Sequence, residues 1–131
     1  MAEEALVESL VKDSVTLVEE LDKQGDTPTN ALWYYFADAE EWRFLVAGRA
    51  FDGLLPKNEA QAYEKVGRAI AKAGLESLSI AHAQLVRTDD PLLVATKSIV
   101  KTAPDGVVRA HFRDNVFNGI FVKEMLVLRA A

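Results

Sequence analysis

One stretch of the sequence, residues 31–51, holds most of the aromatic side chains and most constrains what the chain can fold into. Seven of the eleven aromatic residues lie in it: Trp33, Tyr34, Tyr35, Phe36, Trp42, Phe44 and Phe51. Aromatic side chains favour the half-buried surface of a sheet, and a polar break at residues 38–41 divides the stretch into two runs. We therefore predict a hairpin of two antiparallel strands, over about residues 32–37 and 42–50. The first run is apolar on both faces, which predicts an inner strand.

The length and composition predict one domain that spans residues 1–131. A chain of this length lies near the commonest domain size, and an apolar content of 50% is typical of soluble globular proteins. The lack of cysteine excludes disulfides and thiolate metal sites, and it fits the reducing cytoplasm, where we expect the protein to act. No apolar run approaches the roughly 18 residues of a membrane span, so we expect no membrane partner.

The first helix is predicted over residues 3–24, where apolar residues from Leu6 to Leu21 recur at spacings of three and four. This segment carries seven acidic and two basic residues, so the whole net charge of −5 lies on it. Gly25 follows at the position of a helix-ending glycine. We expect this acidic amphipathic helix to pack on the sheet. The alternative is that part of its apolar face contacts another chain.

The middle of the chain predicts two further helices and a strand. A second helix follows the capping residue Asn58 and ends at Gly74, and a third strand covers residues 78–87. Asp90 and the proline after it resemble the cap and first residue of a third helix, over residues 92–102. The alternative for that segment is a strand, because turn residues follow it.

The last segment predicts a second hairpin, with strands over residues 107–113 and 119–129 and a break at 114–118. The element order is then αββαβαββ. Two hairpins and few crossovers predict a mostly antiparallel sheet of about five strands, with about three helices on one side of it. The fold class is α+β.

Motifs of established chemistry are missing from the sequence. There is no glycine-rich phosphate loop, dinucleotide fingerprint, metalloprotease helix motif or nucleophile elbow, so we expect no cofactor. The acids Asp38, Glu40 and Glu41 lack the spacing of a calcium loop, and we interpret them as a solvated turn rather than a metal site.

Two histidines, His82 and His111, lie on predicted strands. Histidine is the usual proton carrier near neutral pH, and catalysis would need a partner such as Asp52, Asp114 or Glu124 within hydrogen-bond distance. A single strand histidine is more often structural. An enzyme is therefore the less favoured hypothesis.

Basic residues concentrate on the predicted strands. Within a strand they occupy alternate positions, so their side chains point to the same face of it. If these strand faces align, one sheet face is basic and opposes the acidic first helix; the alternative is an ordinary solvated face. Aromatic residues and arginine are favoured at interfaces. The candidate binding residues are Trp42, Arg43, Arg49, Arg109, His111, Arg113 and Lys123.

These patterns favour a small non-enzymatic interaction module. We expect it to bind a protein partner, or itself as a homodimer, through the aromatic hairpin and the basic sheet face. The alternative is nucleic-acid binding, for example of RNA, on the same basic face. The acidic net charge argues weakly against that alternative, because affinity for nucleic acid comes largely from neutralising phosphates.

Overall fold

The computed structural model describes residues 5–131, and a five-stranded mixed sheet runs through them. The strands are β1 (Asn30–Phe36), β2 (Glu41–Ala47), β3 (Ala83–Leu85), β4 (Ala110–Phe117) and β5 (Ile120–Ala130). Their order across the sheet is β3-β2-β1-β5-β4. β2 and β3 pair in parallel, whereas the other neighbours pair antiparallel. The predicted α+β class is confirmed, and β1 is the inner strand that its two apolar faces predict.

Helices cover both sides of this sheet. They are α1 (Glu8–Lys23), α2 (Arg49–Asp52), α3 (Glu59–Ala73) and α4 (Pro91–Thr96), and a 3₁₀ turn at Ile80–His82 precedes β3. α1 and α3 pack on one side, and α4 packs on the other. The prediction of about three helices on one side therefore differs from the structure in the single turn of α2 and in the position of α4.

The larger core lies between the sheet and the pair α1 and α3. Leu17 and Leu21 of α1 and Val66 of α3 are fully buried against Trp33 and Phe44 of the hairpin. The period of the α1 sequence places its apolar residues on one face, and strand alternation places these two aromatic rings opposite that face. We call this side of the sheet the α1 side.

A smaller core lies on the opposite side, which we call the α4 side. Leu93 of α4 packs there with Leu32, Leu45 and Met125, and all four side chains are buried. The helix begins as its sequence predicts, because the Asp90 side chain accepts the backbone N–H of the second helical residue at 2.9 Å. It has only six residues, so it covers only part of this side.

The first helix is shorter than its apolar period predicts. α1 begins at Glu8, because Val7 has extended dihedral angles (φ −80°, ψ 144°) and makes no side-chain cap. Residues 3–4 of the predicted helix lie outside the described part of the chain. The predicted strand over 78–87 is also mostly replaced, since Ile80–His82 forms a 3₁₀ turn and only Ala83–Leu85 pairs with the sheet.

The second hairpin turns later than predicted. Its turn lies at Asn118 and Gly119, which have φ values of 47° and 80°, and both residue types tolerate this left-handed conformation. The expected break from residue 114 is wrong, because β4 continues to Phe117. Asp114 does have a positive φ of 50°, but pairing with β5 resumes at the next residue.

One buried charge ties α1 to the sheet. The Arg129 side chain is fully buried, and its guanidinium donates to both carboxylate oxygens of Asp22 at 2.9 Å. It also donates to the carbonyls of Pro28 and Gly106, at 3.1 and 2.8 Å. Because four hydrogen bonds replace water, the buried guanidinium is compensated.

Candidate interaction surfaces

The predicted binding residues on β4 and before it lie toward the α1 side. Arg109 donates to both oxygens of Glu8 in α1, at 3.0 and 2.9 Å. The Nε2 atom of His111 lies 2.7 Å from Oε2 of Glu124, and Arg113 donates to the same oxygen at 3.0 Å. Glu124 is buried, so these two basic side chains enclose an acid of their own chain.

The other predicted basic residues lie elsewhere. Arg43 alternates with the buried residues of the α1 side and opposes Tyr34, so it lies on the α4 side. Lys123 forms an ion pair with Asp114 at 3.4 Å, and Arg49 begins α2, outside the sheet. The single basic face that strand parity predicts is therefore not formed by these residues. The cations of β2, β4 and β5 instead form ion pairs with acids of the same chain.

Trp42, the predicted aromatic anchor, belongs mainly to the core. Its side chain is 8% exposed, and its ring centroid lies 5.4 Å from that of Tyr35. The hairpin residues that strand alternation turns to the opposite side are more accessible. Tyr34 and Phe36 are half-buried there, with ring centroids 4.8 Å apart in an edge-to-face arrangement.

The ends of the two hairpins form an apolar surface. A groove of about 210 Å³ lies between the end of β1 and the start of β5, lined by residues 34–38 and by Phe121 and Lys123. Phe121 is 56% exposed, and Val116, which opposes it across the β4–β5 hairpin, is 64% exposed. We call this the hairpin-end surface. Its apolar members are Tyr34, Phe36, Val116 and Phe121, and its charged members are Asp38 and Lys123.

The Tyr34 side chain places a hydroxyl among the apolar side chains of this surface. Its hydroxyl donates to the backbone carbonyl of Phe121 at 3.4 Å, which joins β1 to the beginning of β5. Burial raises the pKa of Tyr34 above its ordinary value, because the surroundings disfavour the phenolate. The hydroxyl therefore remains a hydrogen-bond donor throughout the neutral range.

The two histidines have different surroundings. His111 is exposed and pairs with Glu124. His82 is half-buried in the 3₁₀ turn, where its Nδ1 accepts the backbone N–H of Ser79 at 3.0 Å. Its ring also lies edge-on to Trp33, with centroids 6.2 Å apart. Of the carboxylates that the sequence suggests as histidine partners, Glu124 therefore contacts one histidine, His111.

Within residues 5–131, no three histidine, aspartate or glutamate side chains are grouped closely enough to hold a metal ion. The helices of the same residues include none with the length and apolar character needed to cross a bilayer.

The fold and its surfaces define a small α+β domain with a mixed sheet and an exposed aromatic surface at one end. Compared with known proteins, the chain matches no family model, no curated protein and no solved structure.

Proposed function

We propose that the chain is an interaction module that binds a second copy of itself through the hairpin-end surface. The observation that carries the proposal is the exposure of Phe121 and Val116 beside the half-buried rings of Tyr34 and Phe36. A contiguous exposed apolar surface with aromatic residues at its centre is typical of protein interfaces. Burying it against another chain would remove these side chains from water.

Charge favours a second copy over a partner of one sign. The surface carries both an acid, Asp38, and a base, Lys123, and both line its groove. In a two-fold dimer the same surface meets itself, so Asp38 of each copy can lie near Lys123 of the other, where the lysine would contact two acids because it also pairs with Asp114 of its own chain at 3.4 Å. The exposed Glu40 of the same turn adds a second negative charge to this arrangement.

The predicted basic binding residues support a role in binding a partner less than the sequence suggests. Arg43 lies on the opposite side of the sheet from His111 and Arg113, and all three contact acids of their own chain. An anionic partner would have to displace those acids. For the same reason nucleic-acid binding stays a hypothesis from the sequence, and the arrangement of charges gives it no added support.

The mass in solution, measured by sedimentation equilibrium over a wide concentration range, tests the proposal. The unaltered chain is expected to reach the mass of a dimer. Phe121→Ala is expected to raise the dissociation constant about tenfold or more, because a central aromatic contact is lost. The matched control is Val94→Ala on α4, since Val94 is similarly exposed (52%) but lies outside this surface.

A charge variant tests the pairing between copies. Asp38→Lys should weaken association, because two bases would then face each other across the two-fold axis, whereas Asp105→Lys in an exposed loop should not. A wild-type chain that remains monomeric at every concentration would refute the proposal. So would equal effects of the surface and control variants.

A further inference from the structure

The turn of the second hairpin contains the only asparagine of the chain that precedes a glycine, Asn118. The other asparagines, Asn30, Asn58 and Asn115, precede alanine, glutamate and valine. The backbone nitrogen that follows an asparagine can attack the side-chain amide of that asparagine, and a side chain on the attacking residue hinders the approach. Because glycine has no side chain, this reaction meets the least hindrance at Asn118.

The fold leaves this pair of residues accessible. Asn118 and Gly119 are both exposed and form the two-residue turn between the paired residues Phe117 and Ile120. Within residues 5–131, neither the Asn118 side chain nor the Gly119 N–H makes a hydrogen bond. An exposed turn at the end of a hairpin opens at a much lower free energy than the core does. The side-chain amide and the nitrogen can therefore reach each other without unfolding of the domain.

The other asparagines are more restricted. Asn30 is fully buried in β1. The side-chain nitrogen of Asn115 donates to the carbonyl of Arg113 at 2.9 Å, and the residue pairs with β5. Asn58 is exposed, but the nitrogen that would attack it belongs to Glu59, the first residue of α3, so the helix and a long side chain restrict the approach. Sequence and fold therefore select the same asparagine.

We propose that Asn118 is a site of spontaneous deamidation, and that this modification weakens the hairpin-end surface as an interface. The backbone nitrogen of Gly119 bonds to Cγ of Asn118, and the bond from Cγ to Nδ2 breaks. Ammonia leaves with the hydrogen that the attacking nitrogen gives up. Water then opens the cyclic imide at one of its two carbonyl carbons. Opening at Cγ gives an ordinary aspartate, and opening at the main-chain carbonyl gives an isoaspartate, whose backbone runs through Cβ and Cγ.

The isoaspartate lengthens the turn by one backbone atom. A two-residue turn of this type fixes the register of its two strands, so the extra atom displaces Val116 relative to Phe121. These are the most exposed apolar members of the hairpin-end surface. Either product also adds one negative charge beside them. This effect on the interface rests on the proposed self-association, whereas the chemical step does not.

Incubation of the intact wild-type protein at physiological temperature tests the chemical step. Isoelectric focusing should show a new species with one additional negative charge per chain. Protein isoaspartyl methyltransferase should transfer a labelled methyl group to the new carboxylate, and digestion with mass spectrometry should locate the change at Asn118. The reaction should be faster in mildly alkaline than in mildly acidic buffer, because the attacking nitrogen must lose its proton.

Asn118→Gly is the variant that should remain unmodified. Glycine adopts the φ of 47° at this position without strain, and it carries no side-chain amide. The matched control, Asn58→Ala, removes the other exposed asparagine and should be modified as fast as the wild type. An unchanged wild-type protein after several weeks, an equal change in Asn118→Gly, or a change located at another asparagine would overturn the proposal.

Sedimentation equilibrium of the separated species tests the effect on the interface. The modified chain should self-associate with a dissociation constant about tenfold or more above that of the fresh chain, as expected when a central contact is disturbed. Incubated Asn118→Gly should associate as it did before incubation. A fresh wild-type chain that is monomeric would refute the proposed self-association and leave the modification established by its charge. Equal dissociation constants for the fresh and modified chains would refute the effect on the interface alone.

Discussion

Arg129 is the side chain whose place in this fold depends most on a single partner. Its guanidinium has no exposed surface, and Asp22 supplies its only carboxylate among the described residues. Neutralising that carboxylate would leave a buried cation with carbonyl oxygens alone. The loss of one member of a buried pair is usually far more costly than the loss of an exposed pair.

We therefore expect Asp22→Asn to lower the free energy of unfolding by about 3 kcal/mol or more. Glu8→Gln, which alters the exposed pair with Arg109, should cost less than about 1 kcal/mol. Urea denaturation of the two variants and the wild type measures both values. Equal losses would mean that the buried pair contributes no more than the exposed one.

Tyr34 makes stability depend on alkaline pH. Its pKa is raised by burial in the folded state, so the unfolded chain loses this proton first as the pH rises. The contribution is fully present below the ordinary tyrosine pKa of about 10 and is lost as the pH rises through the folded-state pKa.

Tyr34→Phe removes this ionisation. The difference in unfolding free energy between wild type and variant should be constant below about pH 9, and the wild type should lose stability relative to the variant above about pH 10. Denaturant unfolding at a series of pH values measures the difference. A difference that does not change with pH would show that the phenol ionises equally in both states.

At the scale of elements, two glycines with different surroundings test how the helices join the sheet. Gly48 connects β2 to α2, and a Cβ added there would lie 2.9 Å from the carbonyl oxygen of Thr27. Gly67 lies within α3, and a Cβ there would meet no atom within 4 Å.

Gly48→Ala should destabilise the fold by about 1–3 kcal/mol, because backbone atoms would have to move apart. Gly67→Ala should stabilise it by about 0.5–1 kcal/mol, since alanine loses less entropy in a helix. Thermal unfolding of both variants gives the signs. A stabilised Gly48→Ala variant would show that the connection before α2 can shift without cost.

Local patterns in the sequence predicted most elements but not their ends. The aromatic hairpin, the glycine that ends α3 and the Asp90 cap of α4 all depend on neighbouring residues, and the structure contains each of them. The length of α4 does not follow from local period, because the apolar period continues beyond Thr96, where the helix ends. Local pattern likewise does not predict the 3₁₀ turn at Ile80–His82, within the segment predicted as the third strand.

The candidate surfaces were less predictable than the fold. Strand alternation correctly places Tyr34 and Trp33 on opposite sides of the sheet. It does not predict which of the two sides α1 and α3 cover. Trp42 is therefore buried where an anchor was expected. Alternation within each strand also does not predict whether the basic residues of different strands lie on the same face of the sheet, because that depends on the order and register of the strands. No local signal in the sequence distinguishes Phe121, which is exposed, from a buried phenylalanine.

At the scale of the whole molecule, the acidic helix and the basic strands contact each other within one chain. Glu8 and Asp22, at the two ends of α1, pair with Arg109 and Arg129, which both lie at the open end of the last hairpin. The asymmetry of charge along the sequence is thus used in part to join the first helix to the final strands. It does not create two separate charged faces.

The position of β5 inside the sheet has a consequence for biosynthesis. The strand that pairs with both β1 and β4 is made after the other four strands, about ninety residues after β1. Before its residues are added, the β1 edge of the aromatic hairpin is open, and the larger core lacks Leu126 and Leu128. Until β5 has been made, the backbone groups at that edge of β1 lack their sheet partner, and such an unpaired edge is a template for pairing with another chain.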